Sequence, residues 1–309
     1  MESCGILPVH KPTGPTSHDI VARARRLFAT PRIGHTGTLD PMAEGLLLLC
    51  LGRATKVVRF LAALDKTYCA EIRLGGRTTT GDATGRLYDT ADTAQLTMAR
   101  VEEVLSRYRG IIQQRVPNHS AVKVAGRRLY AYARRGGDVP QVVREVEIHD
   151  LILESFANPD LTITVRCSGG TYIRALARDI GEDLGCGGFL TSLSRTKIGD
   201  HGCAGAEKLD ELESLSSLDD CLARVRPFED YLPFPRVVIG DEEVADISNG
   251  RHFSPRAVKD FAAGFARGDR ILLCDPQRHG IAVAVAERDS AALAGYAGTD
   301  WFRYERVLN

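Results

Sequence analysis

The chain has 309 residues, enough for two domains or for one large domain with a small companion. Hydrophobic residues make up 44% and charged residues 26%, which excludes a disordered or fibrous chain. A formal net charge of zero gives no global hint of a nucleic-acid partner, and eight cysteines without a CxxC pair exclude both a zinc-type framework and a dense disulfide scaffold.

The N-terminal run MESCGILPVHKP has no positive region followed by an apolar core, so no signal peptide is expected and a cytoplasmic protein is. Thr16-Ser17-His18-Asp19 has the form of a capping box. The helix it opens carries Ile20, Val21, Ala24, Leu27 and Phe28 on one face, with Arg23, Arg25 and Arg26 off that face toward water or a polyanion. The apolar run 46–51 reads as a buried strand and is far shorter than the roughly 20 residues a membrane span needs. Ala70, Ile72 and Leu74 alternate with Glu71 and Arg73 as in a half-buried strand, and Met98, Val101, Val104, Leu105 and Tyr108 recur at helical spacing. Residues 104–137 hold eight basic side chains (Arg107, Arg109, Arg115, Lys123, Arg127, Arg128, Arg134, Arg135) and no acid, with Tyr130 and Tyr132 among them. Such a stretch suits a nucleic-acid backbone with base or sugar contacts, or a solvated charged face. Leu161, Ile163, Val165 and Cys167 alternate cleanly with Thr162, Thr164 and Arg166. Ile173, Leu176, Ala177, Ile180 and Leu184 then return to helical spacing, ending at Gly185. Residues 207–220 reverse the charge, with six acids and one lysine.

Strands and helices are interspersed without regular alternation, which predicts a mixed-sheet α/β (α+β) domain over residues 1–226. Pro227, Pro233 and Pro235 mark a linker. Beyond it, 271–274, 281–286 and 301–307 read as short strands of a small all-β domain over 235–309.

The run Gly34-His35-Thr36-Gly37-Thr38-Leu39-Asp40-Pro41 combines two permissive glycines with an Asp that its following proline keeps out of helical angles. Asp40 is thus set on a fixed loop before the strand at 46. Composition alone leaves a turn former and a positioned catalytic acid both open.

The longer run GHTGTLDPMAEGLLLLCLGRATK (34–56) resembles the signature of the TruB family of pseudouridine synthases. Four further segments agree in order: HKPTGPTSHD (10–19), KTYCAEIRLGGRTTTGDATG (66–85), VPNHSAVKVAGRRLYAYARRG (116–136) and CSGGTYIRALARDIGEDLGCG (167–187). The resemblance is close over about 6–199 and loose beyond. It implies a pseudouridine synthase catalytic domain that isomerises uridine in the tRNA T-loop, position 55 in tRNA numbering, after flipping the base out. Asp40 is the implied nucleophile, Arg174 its cation and Tyr68 a ring against the uracil with a phenol able to relay the C5 proton. From the residues alone, Arg174 could equally be a surface arginine beside a core face, and Tyr68 plain core. His35 is implied to stack in the opened RNA loop, and Tyr172 and Leu193 to wall the pocket. Lys11, Lys123, Arg127 and Arg128, with Arg23, Arg25 and Arg26, are expected to contact RNA.

No cofactor or metal is implied, because the isomerisation needs no redox change or external group. The tail resembles a PUA domain, a small RNA-binding β-barrel, through Asn249-Gly250-Arg251 and the run 280–284; its placement on the acceptor stem is implied by the family alone. A monomer without an obligatory protein partner and without a membrane is expected. Two alternatives are a tRNA-folding chaperone acting without catalysis and a guide-RNA-dependent synthase; the intact Asp40, Tyr68 and Arg174 and the lack of long basic tails argue against them. The chain departs from the family pattern at His10, Glu44, His119 and Ser194, none of which is an implied catalytic position.

Overall fold

The computed structural model describes residues 4–117, 120, 123–124, 127–129, 132, 140–261 and 263–308. Among the described residues, strands form in chain order as β1 (Gly5–Lys11), β2 (Ile33–His35), β3 (Glu44–Leu51), β4 (Lys66–Leu74), β5 (Arg77–Thr78), β6 (Leu87–Tyr88), β7 (Gly110–Arg115), β8 (Lys123–Val124), β9 (Arg127–Arg128), β10 (Val143–Ala157), β11 (Asp160–Cys167), β12 (Gly188–Ile198), β13 (His201–Gly202), β14 (Arg236–Ile239), β15 (Val258–Phe261), β16 (Arg270–Cys274), β17 (Gly280–Ala286) and β18 (Phe302–Val307). The helices are α1 (Ser17–Leu27), α2 (Val58–Ala63), α3 (Met98–Ser106), α4 (Ile173–Asp183), α5 (Leu209–Glu213), α6 (Leu218–Leu222) and α7 (Asp241–Ser248).

The principal sheet has nine strands in the order β1-β3-β12-β4-β11-β10-β7, with β2 on β3 and β13 on β12. Its neighbours are antiparallel except β3 and β12, which run parallel, so the sheet is mixed as expected. Strand β3 explains its continuous apolar run by being covered on both faces. Leu47, Leu49 and Leu51 pack with Ile20, Val21 and Ala24 of α1, while Leu46, Leu48 and Cys50 pack with Phe60 and Leu61 of the segment after it. A strand with water on neither side has no use for polar alternation. The β4 strand does alternate: Tyr68, Ala70, Ile72 and Leu74 join a core with α3 and α4. Each such large apolar side chain contributes roughly 1.5–3 kcal/mol when fully buried.

The expected capping box is present, Thr16 Oγ1 accepting from Asp19 N at 3.1 Å and Thr16 N donating to Asp19 Oδ2 at 2.8 Å. Gly185, at φ +80°, ends α4 in the left-handed conformation that glycine adopts without penalty.

The second sheet has five strands in the order β15-β14-β16-β17-β18. The C-terminal part is not all-β, because α7 lies between β14 and β15. Asp241, Glu242 and Glu243 fall in its first turn, where negative charge suits the helix dipole, and Val244 and Ile247 face the core around the fully buried Trp301. The proline-marked linker is also more than a tether. Its Phe228, Tyr231 and Leu232 sit in one buried cluster with Ile6 and Phe60 on one side and Leu272, Val283 and Leu308 on the other. Among the described residues no helix is long and apolar enough to cross a membrane.

Candidate active site

The loop carrying Asp40 connects β2 to β3, which pair antiparallel through His35 and Leu49. It is fastened on every side. Ser17 Oγ, at the start of α1, accepts from Leu39 N at 2.8 Å and donates to Leu39 O at 3.1 Å. Gly14 N donates to Pro41 O at 2.8 Å, and Lys11 Nζ donates to Ala43 O at 2.6 Å and Pro12 O at 2.8 Å. Arg195, on β12, donates to Gly37 O at 3.1 Å and Leu46 O at 2.7 Å. At Gly45, whose φ is +104°, an added Cβ would stand 2.3 Å from the Arg195 carbonyl oxygen, so only glycine lets β3 and β12 approach there. With Leu39 buried and Pro41 fixed, the Asp40 carboxylate is left about one-third exposed, at 32%.

It meets Arg174, in the first turn of α4. Ile173, Leu176, Ala177 and Ile180 turn that helix toward the core, and Arg174 is drawn in beside them with 6% of its side chain exposed. Its Nε donates to Asp40 Oδ2 at 2.8 Å and its Nη2 to Asp40 Oδ1 at 3.0 Å, a fork on a carboxylate; Nη1 donates to Thr80 O at 2.8 Å. A second carboxylate, Asp82, has Oδ2 3.8 Å from Nε and is itself 7% exposed. Asp82 Oδ1 is held by its own turn, accepting from Thr80 Oγ1 at 2.7 Å, Thr84 N at 3.0 Å and Thr84 Oγ1 at 2.5 Å, and Oδ2 is the oxygen that faces Arg174. Two parallel charge-assisted hydrogen bonds to one carboxylate are stronger than a single neutral one and fix its orientation.

Asp40 and Arg174 open into a cleft of about 520 Å³, also lined by His35, Tyr68, Tyr172, Leu193 and Arg195. That volume is in the range of small-ligand sites. Tyr68 lies beside Arg195 in the β4–β12 register and Val165 in the β4–β11 register. Burial raises the Tyr68 phenol pKa, with the Arg195 guanidinium opposing, so the phenol is protonated at neutral pH. The His35 pKa is lowered by burial and by Arg195 and His18, which keeps the ring neutral. Its Nδ1 accepts from Gly37 N at 3.2 Å, placing the ring proton on Nε2. Lys66 is buried at the cleft wall, where Nζ donates to Leu64 O at 2.6 Å and to Ala62 O; burial, with Arg195 adding to it, lowers its pKa to about 8.

The structure thus gathers Asp40, Arg174, Tyr68, His35, Tyr172 and Leu193 around one cleft. Lys11 is elsewhere in kind: fully buried and bonded to carbonyls, it fastens the Asp40 loop instead of extending a basic surface. Arg23 is also not free for a polyanion, since it pairs with Asp210 at the acidic stretch and with Glu213 at 2.7 Å, and Arg25 donates to Ile33 O at 2.8 Å. The side chains of Lys123, Arg127 and Arg128, together with His119 and Tyr130, lie outside the described residues; the backbones of β8 and β9 pair as a two-stranded ladder. Ser194 and Glu44, two of the departures, are register partners between β12 and β3. Sequence reasoning missed Asp82, Arg195 and Lys66. Asp82 had a signal, an acid enclosed by Thr80, Gly81, Thr84 and Gly85; Arg195 and Lys66 had none beyond their nearness to Leu193 and Tyr68.

Residues 25–173 match the family described as TruB family pseudouridylate synthase (N terminal domain). A protein of Azoarcus sp. (strain BH72), named tRNA pseudouridine synthase B, is 47% identical over 80% of this chain and 82% of its own length. The chain belongs to the TruB family. Relatives of the same name from Burkholderia mallei and Mycobacteroides abscessus are 43% and 40% identical, over 91% and 88% of this chain and 93% and 92% of theirs. Residues 235–308 match the PUA domain. The TruB fold itself extends further. A chain in the crystal structure of an archaeal box H/ACA sRNP Nop10-Cbf5 complex superposes with a TM-score of 0.74, at 22% identity, over 99% of this chain and 86% of that one. The mixed-sheet catalytic fold followed by a PUA domain agrees with the sequence expectation.

Proposed function

We propose that this chain isomerises uridine to pseudouridine in the T-loop of tRNA, at position 55 in tRNA numbering, with Asp40 as nucleophile. The observation that carries the reading is the Asp40–Arg174 fork at the mouth of a nucleoside-sized cleft. A carboxylate is a nucleophile that needs no separate base to activate it, and a guanidinium fork keeps it aimed when an incoming base displaces water. In this reading the target base leaves its stack, at a cost of a few kcal/mol, and enters between Tyr68 and Leu193. The N1–C1′ bond breaks, the uracil turns within the cleft and C5 bonds to C1′. The C5 proton then leaves and N1 gains one, so atoms and charge balance without a cofactor. Tyr68, protonated by burial, offers a ring for stacking and a hydroxyl that can accept the C5 proton while passing on its own. His35, neutral and planar, fills the place of the extruded base in the RNA loop.

The same reading assigns 1–226 to catalysis and 235–309 to RNA binding on the acceptor stem, in a monomer without an obligatory protein partner. Lys123, Arg127 and Arg128 neutralise the T-arm backbone.

The test is tritium release from a tRNA transcript labelled at uridine C5, with the product mapped by position. Release equal to one T-loop uridine per tRNA, without added guide RNA, supports the reading. Tight tRNA binding without release favours a folding helper, and release only with guide RNA favours a guided enzyme.

A further inference from the structure

Gln114 lies on β7, inside the basic stretch 104–137, and is 1% exposed. Its side-chain amide makes two hydrogen bonds to one residue. Tyr172 N donates to Gln114 Oε1 at 2.8 Å, and Gln114 Nε2 donates to Tyr172 O at 3.1 Å. Tyr172 is the N-cap of α4, its carbonyl also receiving Ala175 N and Leu176 N at 3.1 Å each. A primary amide can accept and donate side by side, as a neighbouring β-strand would, and this one closes on the backbone two residues before Arg174.

Among the described residues, the same turn is also tied to β10, where Ser168 N donates to Glu147 O at 2.8 Å and Ser168 Oγ accepts from Glu147 N at 3.0 Å, and to α2. Gly169 packs so closely on α2 that an added Cβ would stand 2.7 Å from Ala62 O, and Thr171 Oγ1 donates to Ser168 O at 2.9 Å. On the β7 side Gln114 supplies both bonds to Tyr172. Because Tyr172 has no N-cap side-chain hydrogen bond of its own, the start of α4 takes its position from a residue on another element.

We propose that Gln114 is a positioning residue for the reaction: it sets the first turn of α4, and through it the angle at which Arg174 grips Asp40. This rests on the reading in which Asp40 and Arg174 work at the nucleoside. Misplacing a reacting group by about 1 Å costs on the order of a hundredfold in rate, and both bonds from Gln114 end on the backbone of Tyr172, leaving its ring in the cleft wall unbonded to Gln114.

The experiment compares wild type, Gln114→Leu and Gln114→Glu in single-turnover tritium release from C5-labelled tRNA, with the tRNA Kd measured alongside. Gln114→Leu is expected to lose tenfold to a hundredfold in rate with Kd unchanged within about twofold. Gln114→Glu keeps the volume and the acceptor but loses the donor while ionised. At a site 1% exposed and facing the Tyr172 carbonyl, burial raises a carboxyl above its ordinary range, so the rate of this variant relative to wild type should climb as pH falls from about 8 to about 5.5, where the protonated carboxyl both accepts and donates. Gln114→Leu should show no such climb. A Gln114→Leu rate within twofold of wild type overturns the proposal. So does a Gln114→Glu deficit that stays constant with pH, which decides the matter even if Gln114→Leu does not fold. Wild type that releases no tritium would instead overturn the underlying reading, and this proposal with it.

Discussion

Asp40 and Arg174 are joined by two hydrogen bonds in a fork, Nε to Oδ2 at 2.8 Å and Nη2 to Oδ1 at 3.0 Å, across 134 positions of sequence. The fork fixes the carboxylate in rotation as well as in place, because two donors set a plane where one sets only a distance.

Replacing Arg174 with lysine therefore separates charge from geometry. Lysine supplies one point charge and cannot span both oxygens or reach Thr80 O at the same time. The expected outcome is a rate of tritium release about a hundredfold lower or worse, equivalent to roughly 3 kcal/mol of transition-state stabilisation, with tRNA affinity retained. Stopped-flow binding together with single-turnover release measures both.

Asp82 shares the same guanidinium at 3.8 Å. Removing its charge in Asp82→Asn leaves Arg174 balanced by Asp40 alone, which tightens that pair and makes the carboxylate a poorer nucleophile. It also disturbs the Thr80–Thr84 turn that presents Thr80 O. A loss of roughly tenfold in rate is expected, without a comparable change in Kd. Rates equal to wild type would show that Asp82 serves the turn only.

Lys66 gives a signature in stability against pH. Its folded-state pKa of about 8 lies below the ordinary 10.5, so between those values the unfolded chain binds more protons and stability rises with pH. This contribution is fully present above about 10.5 and is lost as pH falls through about 8. Relative to Lys66→Met, wild type should gain up to about 3 kcal/mol across that window, as read by urea denaturation at several pH values. A constant difference would place the ammonium in better contact with water than its carbonyl partners at Ala62 and Leu64 imply.

The basic segment is tested by salt. Arg127→Ala with Arg128→Ala should weaken tRNA binding and reduce the slope of log K against log salt by about one for each phosphate that those arginines neutralise. An unchanged slope removes those two side chains from the RNA interface.

Local signals carried much of this molecule. The capping box, the alternation in β4 and β11 and the spacing in α4 each reflect a chain segment with water on one side and core on the other, and each formed where expected. Strands β1, β10 and β12 were not legible, because their patterns answer to neighbours far along the chain. Residues 5–9 of β1 are all buried, β10 carries two register shifts against β11, and β12 lies between a parallel and an antiparallel partner. The helix α7 was hidden by an acidic first turn in a region of short apolar runs. At the site, Asp40, Arg174 and Tyr68 were named through family resemblance, and their convergence on one cleft is a property of the sheet order. Lys11 shows where sequence patterns stop. A lysine in a Gly- and Pro-rich segment reads as a surface cation, and only the fold reveals the ring of carbonyls that encloses it.

The most direct measurement for the central claim uses Asp40→Asn, which keeps the shape of the side chain and one acceptor for Arg174 while removing the nucleophilic charge. Single-turnover tritium release from C5-labelled tRNA should fall below detection, with tRNA Kd within a fewfold of wild type. Pseudouridine formed by Asp40→Asn at a rate near that of wild type would contradict the account.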